Sequence, residues 1–405
     1  MLISKLITAV RSIFIVGLMN FSVLAFALYF GATEDADKFS KYVLSFSLFS
    51  VLVILSDFGL NTSIVRDKST NKSELLKSVI SAKSFLCVIV FIAIILIQIF
   101  AYSLGMRIEH ITSAVLTAVI YNYWLTIRVR TQVDLNFTKF DNINFTFMLL
   151  RLFYLLLFLL FDVDIAFGLL FLYALPAFTY IVISEKLLQL PLKKSIFIDD
   201  IKKVSHLIRY GFIVMTSGLL YTLCINSTVF FYSSQSQIEV VAGVGWAIAP
   251  VALITLVFSV LRPFWLSYTS KTVVTVNQIK IIVFIIFTTF FLGTTVYYLI
   301  GGYFDYFSNL LHVPASWIKA TIISFFIMSI ICLVGLLSSL LHKLNKPRWD
   351  LQFNFFRLIL VVLALYSIRD LQDVSFILSV VLSIILLSEI LLALVVFRTY
   401  KRLYL

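Results

Sequence analysis

Residues 374–402 read VSFILSVVLSIILLSEILLALVVFRTYKR. From Val374 to Phe397 the stretch carries a single charge, Glu389, and it ends on Arg398, Lys401 and Arg402. About 20 apolar residues suffice for a helix to cross the hydrocarbon of a bilayer. The backbone must then be helical, because lipid offers no partners for its N–H and C=O groups. Basic residues collect on the cytoplasmic side of a span. The stretch therefore predicts a membrane-spanning helix with its C-terminal end inside.

The rest of the chain repeats this pattern. Its 405 residues are 61% hydrophobic and only 13% charged, and its mean hydropathy is +1.05. A water-soluble domain cannot cover that much apolar surface. The runs are too long and unbroken for the alternating strands of a barrel. Hydropathy places spans near 12–32, 39–60, 78–104, 109–128, 144–161, 164–185, 207–233, 240–266, 279–301, 314–341, 351–368 and 374–397. The first run, Ser12 to Ala32, is longer than the ~7–15 residues of a secretory signal core, and is read as a true helix.

Charge tests the map. With the N-terminus inside, only Lys38, Lys41, Arg107, Lys319 and Arg369 of the 32 Lys and Arg fall on the outer side. One span miscounted would invert the alternation beyond it and destroy this asymmetry. The net charge of +12 is therefore largely an orientation signal, not a nucleic-acid footprint. Both termini are expected on the cytoplasmic side of the membrane.

Six spans precede the longest connection and six follow it. This suggests two parallel lobes, 1–185 and 207–405, related by an axis along the membrane normal. The linker, 186–206, leads into Ile198, Ile201, Val204 and Ile208 at helical spacing. Asp199 and Asp200 come before Lys202 and Lys203, the order that suits a helix dipole. An amphipathic helix on the inner membrane face is expected there.

No phosphate-binding glycine loop, nucleophile–base set or metal motif is present. Cys87, Cys224 and Cys332 lie far apart within apolar runs, and no disulfide framework follows. The outer loops are short, the longest running from about Gly302 to Val313. Neither an enzyme nor a cofactor is indicated.

Charges at membrane depth are the functional pointers. At about 1.5 Å per residue, Lys83, Arg151 and Arg357 lie roughly 9–11 Å from the inner face and Glu389 roughly 12 Å. Arg357 and Glu389 match in depth on adjacent helices and can pair; Asp57 can similarly partner Arg151. One reading makes these residues snorkelling side chains or a structural clamp. The other makes them a cationic inner vestibule, with Arg11, Arg66, Arg209 and Arg262 around its mouth. Guanidinium groups bind phosphate through paired hydrogen bonds, so such a vestibule suits an anionic substrate. Asn20 and Asn226, within the first and seventh spans, need buried partners. Gly17, Gly218, Pro176 and Pro250 are candidate bends.

Lys41-Tyr42-Val43-Leu44-Ser45, followed by Ser56-Asp57-Phe58-Gly59-Leu60-Asn61 and Arg66, resembles the second-span signature of polysaccharide flippases. These are the Wzx-type O-antigen translocases of the multidrug/oligosaccharidyl-lipid/polysaccharide exporter (MOP) superfamily. Val241-Ala242-Gly243-Val244-Gly245-Trp246 is similar to the start of their eighth span. The resemblance implies an all-α, MATE-like fold of two six-helix bundles around a central cavity, working by alternating access. It implies transfer of an undecaprenyl-diphosphate-linked oligosaccharide from the cytoplasmic to the periplasmic leaflet for lipopolysaccharide assembly. Besides membrane lipids, the polysaccharide polymerase and chain-length machinery are the expected partners. Only Asp57, Gly59 and Arg66 carry over by pattern. A cation-coupled drug exporter of the same superfamily and a membrane-embedded polymerase or ligase are the rival readings. The first calls for acids in the cavity, and the second for a large outer loop.

Overall fold

The computed structural model describes residues 2–66, 108–133, 137–185, 194–251, 253–255, 258, 265, 275–341, 344 and 346–404. Among these every regular element is helical. The N-terminal part contains α1 (Leu2–Thr33), α2 (Ala36–Asp57), α3 (Leu60–Arg66), α4 (Ile108–Val133), α5 (Phe137–Leu160) and α6 (Leu175–Glu185). Then come α7 (Lys194–Ser234), α8 (Ile238–Ile248), α9 (Val276–Gly301), α10 (Phe304–Leu311), α11 (Ala315–Ser338), α12 (Pro347–Ser367) and α13 (Val374–Tyr404). Among the described residues, nine helical stretches are long and apolar enough to cross a membrane. The chain is a multi-pass membrane protein. α4 is not one of the nine, because polar residues such as Ser113, Thr117, Asn122, Thr126 and Arg128 interrupt its apolar run; all five are buried. The predicted third span, 78–104, lies outside the described residues, as does much of the eighth.

The differences from the predicted spans have local causes. α2 stops at Asp57 because Phe58 and Gly59 adopt left-handed conformations, with φ of 51° and 67°. The chain then restarts as α3. α5 begins at Phe137, well before the apolar run at 144, so a polar turn carrying Lys139 and Asp141 is helical. The sixth span is composite. Asp164 caps a 3₁₀ turn, Ile165–Phe167, through a 2.9 Å bond from the Ala166 N–H. A π-helical turn, Leu170–Ala174, follows before α6. The linker helix begins at Lys194 and runs without a break into the seventh span as α7, a helix of 41 residues. The longest predicted outer loop contains α10, closed by His312 at φ 54°.

Two compact units emerge. The first comprises residues 1–22 and 41–222; the second comprises 23–40 and 223–405. Within the first, Gly59 meets the backbone of Gly211 on α7. A Cβ on Gly211 would stand 2.7 Å from the Phe58 carbonyl oxygen. Glycine is needed at both positions, at Gly59 for its dihedral and at Gly211 for this approach. The Ser56–Asn61 signature is thus a helix-packing device. In the second unit α11 packs along α13 and against α8 and α9. There Gly243 lies against the Trp317 ring.

Much of the outer surface is apolar, as lipid requires. On α9, Phe284, Phe287, Phe290 and Phe291 are all exposed. Its hydroxyls fold back onto the same helix: Thr288 donates to Phe284 O at 3.0 Å and Thr295 to Phe291 O at 2.8 Å.

Candidate functional site

The first unit buries Arg151 completely. Its Nε donates to the Leu172 carbonyl at 2.7 Å, and its Nη1 donates to the Met19 carbonyl at 2.7 Å. Asn20 Oδ1 lies 3.5 Å from Nη1, and the Asn20 amide nitrogen donates to Val16 O at 2.9 Å. The acceptor at Leu172 has a sequence cause. Pro176 has no N–H to give to the carbonyl four residues before it, and the π-helical turn opens the helix there. The guanidinium sits between two rings, 4.7 Å from the Phe147 centroid and 4.6 Å from that of Tyr173. Tyr121, Trp124 and Phe49 extend this aromatic cluster.

Nη2 of Arg151 is buried and has no hydrogen-bond partner. No carboxylate pairs with Arg151 among the described residues; Asp57, at the end of α2, is not among its partners. A hydrogen bond to a charged group contributes about 1.5–3 kcal/mol, and a desolvated cation–π contact about 2 kcal/mol. These contacts offset the several kcal/mol lost on burying an ion. They are dipoles and quadrupoles, however, and the full positive charge remains.

The second unit treats its buried arginine differently. Arg357 Nη2 bonds Glu389 Oε2 at 2.6 Å, its Nε donates to Ser388 Oγ at 2.6 Å, and its Nη1 donates to Asn354 Oδ1 at 2.8 Å. Ser338 Oγ donates to the other Glu389 oxygen at 2.5 Å. The structure thus brings Arg357 and Glu389 together as a buried ion pair.

Of the remaining candidates, Arg11 pairs through Nε with Asp141 Oδ2 at 2.6 Å, and Ser12 Oγ donates to Asp141 Oδ1 at 2.5 Å. Arg209 is exposed on α7, while Asn226 and Asp57 are partly buried. The Arg66 side chain, Lys83 and Arg262 lie outside the described residues. Asp141, Arg128 and the Leu172 carbonyl belong to these sites but were not singled out from sequence. Pro176, four residues after Leu172, was the available signal for the last. Among the described residues no three His, Cys, Asp or Glu side chains converge as a metal requires.

No protein-family model matches the chain, and no curated protein matches it by sequence. Solved structures do. The Vibrio cholerae MATE transporter VcmN, as its D35N mutant, superposes with a TM-score of 0.65 at 12% identity, covering 98% of this chain and 96% of that one. An outward-facing multidrug resistance MATE family transporter of the MOP superfamily gives 0.53 at 14% identity, with coverage of 98% and 94%. A MOP superfamily transporter from Pyrococcus furiosus, described by the reverse polarity of its binding pocket, gives 0.52 at 14% identity, with coverage of 98% and 95%. The chain has the fold of the MATE transporters of the MOP superfamily.

Proposed function

We propose that this protein is a transporter, not an enzyme. It flips an undecaprenyl-diphosphate-linked oligosaccharide from the cytoplasmic to the periplasmic leaflet by alternating access, in the assembly of O-antigen or a related surface polysaccharide. The lobes of this machine are residues 1–185 and 207–405, joined by the linker 186–206. It sits in the bacterial inner membrane with both termini in the cytoplasm. It hands its cargo to the polysaccharide polymerase and chain-length machinery.

The observation that carries this reading is Arg151, a fully buried guanidinium whose Nη2 has no hydrogen-bond partner and which has no carboxylate partner among the described residues. A buried unbalanced cation attracts an anion strongly, because low dielectric strengthens the interaction. The rival, a cation-coupled drug exporter, has support from the multidrug transporters that share the fold. It calls for a free buried acid. Among the described residues the two buried acids, Asp141 and Glu389, are each ion-paired. The Pyrococcus furiosus transporter gives a precedent within the fold for reading pocket polarity as function.

The test is deletion with complementation, followed by measurement of lipid-linked oligosaccharide in each leaflet. Deletion should strand the glycan on the inner leaflet. Arg151→Ala should abolish surface glycan while the protein remains inserted. Normal surface glycan in Arg151→Ala would sink the cationic reading.

A further inference from the structure

Arg128, toward the C-terminal end of α4, is buried, 8% exposed. Its Cζ lies 4.8 Å from the Phe140 centroid and 5.7 Å from that of Trp124. Its Nε has no hydrogen-bond partner, and no carboxylate pairs with it among the described residues. Trp124 stands against Phe147 with ring centroids 4.1 Å apart, and Phe147 stands against Arg151. The two guanidiniums are thus one ring pair apart, on α4 and α5 of the same unit. Trp124 Nε1, a donor, and Asn144 Oδ1, an acceptor, are also buried there without partners.

The charges in this unit decide what such a cluster can take. Its buried acid, Asp141, is already neutralised by Arg11. Among the described residues of this unit, two buried positive charges, Arg128 and Arg151, are left over. In the second unit the buried Arg357 and Glu389 cancel. A monoanion would leave one of the first unit's charges unbalanced, whereas a dianion matches both.

We propose that Arg128 and Arg151 act together as the diphosphate site. Trp124 and Asn144 serve the hydroxyl-bearing group attached to it. This rests on the functional reading above and specifies where the headgroup is held. Arg128 closes its predicted span at the basic end, while Arg151 lies about 10 Å deep at 1.5 Å per residue. A headgroup entering from the basic face meets Arg128 first. Since the four unpartnered atoms are buried, entry requires the rings over them to move aside.

The experiment is calorimetric titration of the purified full-length protein in nanodiscs with farnesyl diphosphate and with farnesyl monophosphate. The diphosphate should bind at least about tenfold more tightly, as two charge-assisted contacts against one imply. Arg128→Gln and Arg151→Gln should each erase that preference, and Arg398→Gln, at an exposed position on α13, should leave it in place. Should Arg128→Gln not fold, Arg128→Lys keeps the charge and should keep the preference. A folded Arg128→Lys without it overturns the pair. Equal affinity of the wild type for the two ligands also overturns it, as does an unchanged preference in Arg128→Gln. These failures leave the flippase reading standing if deletion still strands glycan on the inner leaflet. Normal leaflet distribution in the deletion strain removes that reading itself.

Discussion

Arg151 and Arg357 sit at similar predicted depths and differ in one respect, the presence of a carboxylate. Glu389 makes the second arginine a structural clamp. Removing one member of a buried pair costs about 3–5 kcal/mol, because the other charge is stranded, while exchanging both is far milder. Arg357→Ala and Glu389→Gln should therefore each lower the melting temperature of the detergent-purified protein. Arg357→Glu combined with Glu389→Arg should recover most of the loss. A double variant no more stable than either single one would count against the clamp. Arg151→Gln should behave oppositely, with thermal stability largely kept and transport lost. The Arg357–Glu389 pairing was legible in sequence because depth on adjacent helices depends only on counting residues from the basic face. The Leu172 carbonyl was legible only in part: Pro176 marked a bend, but nothing in the sequence showed which side chain takes the freed acceptor. Asp141 was missed for another reason: its polar turn looks like a loop until α5 is seen to begin at Phe137.

Helix interruptions in this chain each expose or position a backbone group. Pro176 leaves the Leu172 carbonyl to Arg151. Pro176→Ala restores a competing N–H and should weaken that bond. A hydrogen bond to a charged donor contributes about 1.5–3 kcal/mol; since Met19 O and two rings remain, transport should fall about tenfold at most and not vanish. A flux assay on reconstituted vesicles checks this. The Phe58–Gly59 break acts on packing instead. Gly59→Ala carries a left-handed penalty of about 1–2 kcal/mol and places a methyl against Gly211. It should reduce the yield of folded protein more than Asp57→Ala does. Hydropathy read this segment as one continuous span because glycine's dihedral freedom does not appear in an apolar average.

At the scale of the whole molecule, the all-helical membrane fold was readable from apolar runs and the distribution of 32 basic residues. Hydropathy marked the predicted fourth span, and the structure has α4 there with Ser113, Thr117, Asn122 and Thr126 buried. The buried charge pattern also predicts a physiological contrast. Loss of this protein should leave resistance to cationic dyes such as ethidium unchanged while altering surface glycan. Raised dye sensitivity with intact glycan would favour the exporter reading. The exposed phenylalanines of α9 and its inward-bonded threonines lead elsewhere. Acyl chains against the middle of that helix meet rings and methyl groups, its threonine hydroxyls being turned onto its own backbone. Selection there acts on solubility in fat and hardly on shape. In a saturation library the exposed positions of α9 should tolerate nearly any apolar residue, while Gly293, which stands against Phe326, and the arginines of α4 and α5 stay fixed.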